Sequence, residues 1–228
     1  SLNKHNDYSK LSFLDPVLIL DFEETTSSVI PDYSGHKNNG NVIGSLNSVN
    51  GIFGKGIRTN AVEKNYISFS DSTTLGKAGE SPELTIMAWI CPMEEKNFSD
   101  IISKGDWNTL QLKGSNQFIN FYSNGWEGHE ATISVPKNWN RHWHHIAGVA
   151  DGKYFKLYVD GKLTTTKKAE SRNPLGETGT SIYSNNLWNI GRNETATDRV
   201  FNGIIDDVMI FKKDLTQQQI IDIMLRNF

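Results

Sequence analysis

From Pro16 onward the chain is a succession of short runs rich in Val, Ile, Phe and Tyr, each broken by Gly, Asn, Asp or Ser. The clearest are, first, Val17–Phe22, Tyr66–Phe69, Leu84–Cys91, Asp100–Ser103, Thr109–Leu112, Phe118–Tyr122 and Ala131–Val135. His142–Ala150, Phe155–Val159, Leu163–Lys167, Leu187–Ile190 and Ile204–Phe211 follow. Short strands at regular intervals with turn residues between them predict a sandwich or barrel. Asp151-Gly152 and Asp160-Gly161 each separate two such runs, and Asp-Gly supplies the positive φ angles of a tight hairpin turn. One helix is predicted, at the end. Thr216 and Gln219 have the spacing of a capping box, and Ile220, Ile221, Met224 and Leu225 make one apolar stripe behind it. Residues 1–15 are polar and read as a linker or loosely docked lead-in. No Pro- or Ser-rich break divides residues 16–228, which read as one domain.

Composition narrows the class. The 228 residues carry 23 Lys+Arg against 26 Asp+Glu, and 37% are hydrophobic, so the chain is globular and has enough length to bury a core. A net charge of −3 gives no polybasic footprint, which argues against nucleic acid as a partner. No apolar run approaches the ~20 residues that span a bilayer, so membrane insertion is not expected. Cys91, the single cysteine, excludes an internal disulfide and sits in an apolar strand as an inert thiol.

Several segments, taken in order, resemble the laminin-G-like, pentraxin-like branch of the concanavalin A-like lectin/glucanase superfamily. They are Leu20-Asp21-Phe22-Glu23-Glu24, then Asp32-Tyr33-Ser34-Gly35 through Asn41-Val42, then Phe53-Gly54-Lys55-Gly56-Ile57. Leu84-Thr85-Ile86-Met87-Ala88-Trp89-Ile90 and Trp143-His144-His145-Ile146 through Leu157-Tyr158-Val159-Asp160-Gly161 come next. Ile204-Ile205-Asp206-Asp207-Val208 closes the series. The resemblance covers residues 17–225. It implies an all-β, two-sheet antiparallel jelly roll with a short C-terminal helix, of the kind that serves secreted, periplasmic or cell-surface proteins as a carbohydrate-binding or adhesion module. It also implies a structural calcium near the first and last strands, carried over here to Glu23, Asp32, Asn41 and Asp206. The bare residues leave two readings of those carboxylates: in apolar strands they must be paired or bind a cation, and calcium favours several oxygen ligands.

The tryptophans divide by company. Trp89 and Trp143 lie in apolar strands and are expected in the core. Trp107, Trp126, Trp139 and Trp188 lie among Asn, Asp, Gly and Lys. A flat indole suits the apolar face of a sugar ring, with neighbouring amides and carboxylates holding the hydroxyls. The predicted glycan contacts are therefore Trp107, Trp126 and Trp188, with Lys104, Asp106, Arg192 and Asn193 as polar partners. His142, His144 and His145 lack a third ligand at a supporting spacing and are assigned to packing and hydrogen bonding.

A retaining glycosidase needs two carboxylates about 5–5.5 Å apart. Asp21 and Glu23 are the nearest match, in a setting that fits a structural role better, and the last strand has no glutamate. The expected function is therefore non-catalytic binding of a polysaccharide or glycan, within a larger glycan-processing protein or complex. A glycoside hydrolase-type enzyme domain, or a protein-adhesion or assembly domain, is the alternative.

Overall fold

The computed structural model describes residues 6–26, 28–123, 130–169 and 186–228. Within these, the first strands are β1 (Pro16–Leu20), β2 (Val29–Ile30), β3 (Gly40–Ile43), β4 (Asn47–Asn50), β5 (Lys55–Thr59), β6 (Tyr66–Ser68) and β7 (Glu83–Pro92). A short helix, α1 (Leu75–Ala78), lies between the last two. Next come β8 (Phe98–Lys104), β9 (Asn108–Lys113), β10 (Phe118–Ser123), β11 (Ala131–Ser134) and β12 (His144–Asp151). β13 (Tyr154–Val159), β14 (Lys162–Lys168), β15 (Trp188–Ile190), β16 (Gly203–Phe211) and α2 (Gln217–Met224) complete the series.

They form two antiparallel sheets, so of the sandwich and barrel that the pattern allows, the fold is the two-layer sandwich that the resemblance implies. The first runs β14-β13-β12-β7-β16-β5-β4, with β1 on β16, and the second β11-β10-β9-β8-β15-β6-β3-β2. The long apolar strands meet at the centre. Ile86, Ala88 and Ile90 of β7 and Ile146 of β12 share one core with Leu110 and Leu112 of β9 and Ile119 and Phe121 of β10. Phe121 crosses the interface to meet Phe155 edge-on at 5.6 Å. Gly148 makes room for that ring, since a Cβ there would stand 2.2 Å from Phe121 Cδ2.

In β16 simple alternation fails. The register shifts between Asp206 and Met209, with Asp207 at φ 46°. The extra residue turns Ile205, Val208 and Ile210 into the central core and sends Met209 and Phe211 to the opposite face. Alternation alone would have put Ile204 with Val208.

That opposite face carries a second cluster of Met87, Ala147, Val149, Tyr158, Met209 and Phe211. Ile220 and Ile223 of α2 cover part of it; the helix starts at Thr216 with the expected capping box, but its buried pair is Ile220/Ile223, and Leu225 is exposed. The lead-in covers the rest and is not loose. Tyr8–Leu14 form a 3-10 helix whose Tyr8, Leu11 and Leu14 are buried on the sheet. Three-residue spacing is the repeat of that helix, so one side carries all three. Tyr8 also meets Phe228 ring to ring at 5.8 Å. No helix among the described residues is long and apolar enough to cross a membrane.

Candidate functional site

On β9 and β10 the core residues alternate with a set that points away from the first sheet. The register aligns that outer set in rows. Phe98 and Phe118 flank Lys113 in one row. In the next, Asp100, Gln111, Asn120 and Thr132 stand side by side across β8, β9, β10 and β11. Thr109 and Tyr122 form the third. Over these rows lies a cavity of about 320 Å³ lined by Phe98, Asp106, Gln111, Lys113, Tyr122, Glu130 and Arg199. Small-molecule sites commonly enclose roughly 300–1,000 Å³.

The middle row has hydrogen-bonding capacity that the protein does not use. Asp100 Oδ1, Gln111 Oε1 and Asn120 Nδ2 are buried and have no partner among the described residues, whereas Thr132 Oγ1 donates to Asn120 Oδ1 at 2.7 Å. Buried polar atoms are nearly always satisfied by protein, water or ligand. Adjacent aromatic surface is available, because Phe98 and Phe118 are 36% and 37% exposed.

The segment after β15 forms one wall. Gly191 N–H donates to Ile101 O and Asp100 N–H to Arg199 O, which binds the segment to β8. Asn193 is completely buried, and its Nδ2 donates to Asp100 Oδ2 at 2.8 Å and to Asp106 Oδ1 at 3.2 Å. Its Oδ1 accepts from the backbone of Thr195 and Ala196. Arg199 Nη1 lies 3.0 Å from Asp106 Oδ1, and its guanidinium sits 4.8 Å over the Phe98 ring. Burial pushes the Asp100 carboxyl up to about 7, against the opposing pull of the Asn193 hydrogen bond and the Arg199 charge. Burial first, then the Asp106 charge, keeps the Tyr122 phenol protonated far above its ordinary range. On the far wall Lys113 and Glu130 pair at 2.5 Å.

Of the residues predicted to touch a glycan, Asp106 and Asn193 fall here. Trp107 and Trp188 do not: they are 1% and 2% exposed, and their indole N–H groups donate to Gly79 O at 2.9 Å and Leu75 O at 2.8 Å. Both hold the α1 segment onto the second sheet, because a buried indole needs an acceptor and a nearby backbone carbonyl supplies it. Lys104 is buried with its stem against Gly79, and burial lowers its ammonium pKa. Arg192 stacks over Tyr66 at 3.7 Å. Trp126 lies outside the described residues.

Trp139 is buried and stacks on His144 at 4.2 Å. His144 Nδ1 lies 2.9 Å from Asp160 Oδ2, His142 Nδ1 is 3.0 Å from Asn140 O, and His145 packs edge-on against Trp89. Trp89 and Trp143, expected in the core, are only half-buried.

Three of the four residues carried over for calcium, Asp32, Asp206 and Glu23, accept from protein donors. Asp32 accepts from Ile19 N, Ser34 N, Ser34 Oγ and Asn38 N, so both its oxygens are filled. Asp206 accepts backbone N–H groups from Ile52, Phe53 and Asp207, and Glu23 accepts from Lys55 N. Asn41 belongs to β3 in the second sheet, and Asp206 to β16 in the first. Among the described residues no three acidic, His or Cys side chains gather as a metal group. With the carboxylates of Asp32 and Asp206 filled by protein donors and no metal group gathered among the described residues, these four residues do not fit one calcium ion as a set. Beside them, Arg226 brings its own positive charge, its Nε and Nη2 lying 2.9 and 2.5 Å from the Asp207 carboxylate.

The residues of the rows and cavity missed by sequence reasoning include Phe98, Asp100, Gln111, Lys113, Phe118, Asn120, Tyr122, Glu130 and Arg199. Phe118-x-Asn120-x-Tyr122 and Thr109-x-Gln111-x-Lys113 carried a usable signal: each alternates with an apolar residue and so shares one outer face.

Known proteins share this architecture. Domain 4 of AbnA, a GH43 extracellular arabinanase from Geobacillus stearothermophilus solved in complex with arabinotriose, superposes with a TM-score of 0.67 at 18% identity. The match covers 92% of this chain and 98% of that one. The binding domain of Paraclostridial Mosquitocidal Protein 1 gives 0.69 at 19% identity, over 95% of this chain and 52% of that one. The binding domain of botulinum neurotoxin DC in complex with SialylT gives 0.66 at 19% identity, over 93% and 51%. The chain thus spans about half the length of those toxin domains. At such identities the likeness is one of fold. A search of curated proteins finds no match. The family model Laminin_G_3, however, matches residues 61–221, from the approach to β6 into α2. Taken with the two sheets observed, this match places the chain in the concanavalin A-like lectin/glucanases superfamily, as a member of the Laminin_G_3 family.

Proposed function

We propose that the outer face of the β8–β11 sheet binds a glycan without turning it over. The observation that carries this reading is the pairing of two half-exposed rings, Phe98 and Phe118, with Gln111, which lines the cavity beside them and whose Oε1 has no partner among the described residues. A pyranose or furanose has the same division: C–H groups that pack on an aromatic face, and hydroxyls that both donate and accept. Tyr122, Asp106, Lys113, Glu130 and Arg199 supply fixed donors and acceptors around the opening. The arabinotriose complex of the AbnA domain supports a short neutral oligosaccharide as the first probe.

Retention on polysaccharide gels and titration with arabino-oligosaccharides test this. Phe98→Ala, Phe118→Ala and Gln111→Ala should each weaken binding at least about tenfold, which is the ~1.4 kcal/mol expected of one good contact. Unchanged binding in all three removes the site. One module of this kind binds weakly, so in a secreted, periplasmic or surface protein it would act beside other modules or a catalytic domain.

One observation favours a hydrolase as the second reading: a single amide, that of Asn193, holds Asp100 and Asp106 as close neighbours. Asp100 is completely buried, however, and a catalytic acid must reach its substrate. Release of reducing ends from a polysaccharide panel would nonetheless establish turnover.

A further inference from the structure

We infer that the glycan taken by this cleft is uncharged, and that the ion pair between Lys113 and Glu130 enforces the preference. The inference rests on the glycan-binding reading above and narrows it to a ligand class.

Among the described residues lining the cavity there are two cations, and each already has an anion. Lys113 Nζ lies 2.5 Å from Glu130 Oε2, and Arg199 Nη1 lies 3.0 Å from Asp106 Oδ1. The position of the first pair follows from the strand register. Lys113 stands opposite Phe118, and Glu130 precedes Ala131, which stands opposite Phe121. The bridge therefore spans β10 above Asn120, the middle of the polar row. A uronate or sialate carboxylate entering here would have to share a cation with Glu130 or Asp106, or displace one of them. Either way a protein carboxylate stands beside the incoming one, with a single cation between the two. Like charges at that range, in a partly buried site, oppose each other strongly.

Hydroxyls meet no such barrier. A paired ammonium keeps donors to spare, and a paired carboxylate keeps lone pairs, so a neutral sugar can bond to both partners without parting them. Hydrogen bonds to ionised groups are also stronger than neutral ones, which makes the closed pair a good sugar ligand.

The test is an array bearing neutral arabinose-, xylose-, glucose- and galactose-based oligosaccharides beside uronate- and sialic-acid-bearing ones, probed with the folded chain and two variants. Wild type should bind neutral glycans at least about tenfold more tightly than acidic glycans of equal length, with little change between low and high salt. Glu130→Gln frees the Lys113 ammonium and should raise the uronate signal several-fold, whereas Lys113→Gln should not. Both positions are partly solvent-exposed, and a thermal melt of each variant reports whether it is folded. Wild-type preference for acidic glycans, or equal gain in both variants, overturns the inference and leaves the glycan-binding reading standing. Binding to neither class overturns that reading, and the inference with it.

Discussion

Asn193 and Asp100 meet in the buried wall of the cleft, where the Asn193 amide donates to the Asp100 carboxylate at 2.8 Å. The same nitrogen reaches Asp106, and the same side chain's oxygen holds the next turn of its own segment. One asparagine thus fixes two carboxylates and, through Asp106, the position of Arg199. Asn193→Ala should lower stability by about 1–3 kcal/mol, the cost of leaving a buried polar group without its partner. For a domain of this size that is a fall of several degrees in Tm. Glycan affinity should fall in parallel as the Arg199 wall loosens. Paired melting and titration curves check both, and a variant matching wild type in each would show the wall to be held by other contacts.

Trp107 and Trp188 should behave as core residues. Trp107→Ala and Trp188→Ala are expected to cost about 3–5 kcal/mol each. Phe98→Ala and Phe118→Ala should leave Tm within a degree or two and affect only ligand retention. If the tryptophan variants instead melt like wild type and lose binding, the assignment of the platform is reversed.

The Asp100 carboxyl gives a pH signature. Its folded value, raised from 3.8 to about 7, means that the native state holds the proton more tightly than the unfolded chain does. Its contribution to stability therefore declines as pH rises from about 4 to about 7 and is level above that. Asp100→Asn removes this dependence and can still accept from Asn193. The Tm of the variant relative to wild type should climb across that interval and then plateau. A constant difference from pH 4 to pH 8 would show that Asp100 is ionised throughout.

Chelation bears on Glu23, Asp32, Asn41 and Asp206. Because protein donors already fill Asp32 and Asp206, excess EDTA should leave Tm unchanged. A drop reversed by calcium, which would stabilise by binding only the folded state, would restore the ion to this part of the fold.

The sandwich itself was legible because its long strands alternate and its hairpins carry Asp-Gly. Asp160 and Gly161 adopt the positive φ angles, 49° and 76°, which that pair predicts. Short edge strands such as Val29–Ile30 and Asn47–Asn50 escaped notice, since so few residues give no period to read. The tryptophans came out inverted for a definite reason. Local polarity suggests exposure, but Lys104, Asn108 and Asn189 beside these tryptophans are themselves buried, and distant backbone carbonyls receive the indole protons. The cleft was half legible. Asp106 and Asn193 were found by composition, whereas Gln111, Asn120 and Tyr122 belong to the site only through cross-strand register, which no single segment displays.

The packing of Tyr8 against Phe228 takes place behind the first sheet, whereas the cleft opens from the outside of the second. Anything fused ahead of Tyr8 or beyond Phe228 would thus be tethered at the back of the sandwich. Such a module can be strung between partners, or several copies in tandem, with every cleft left facing outward and unobstructed.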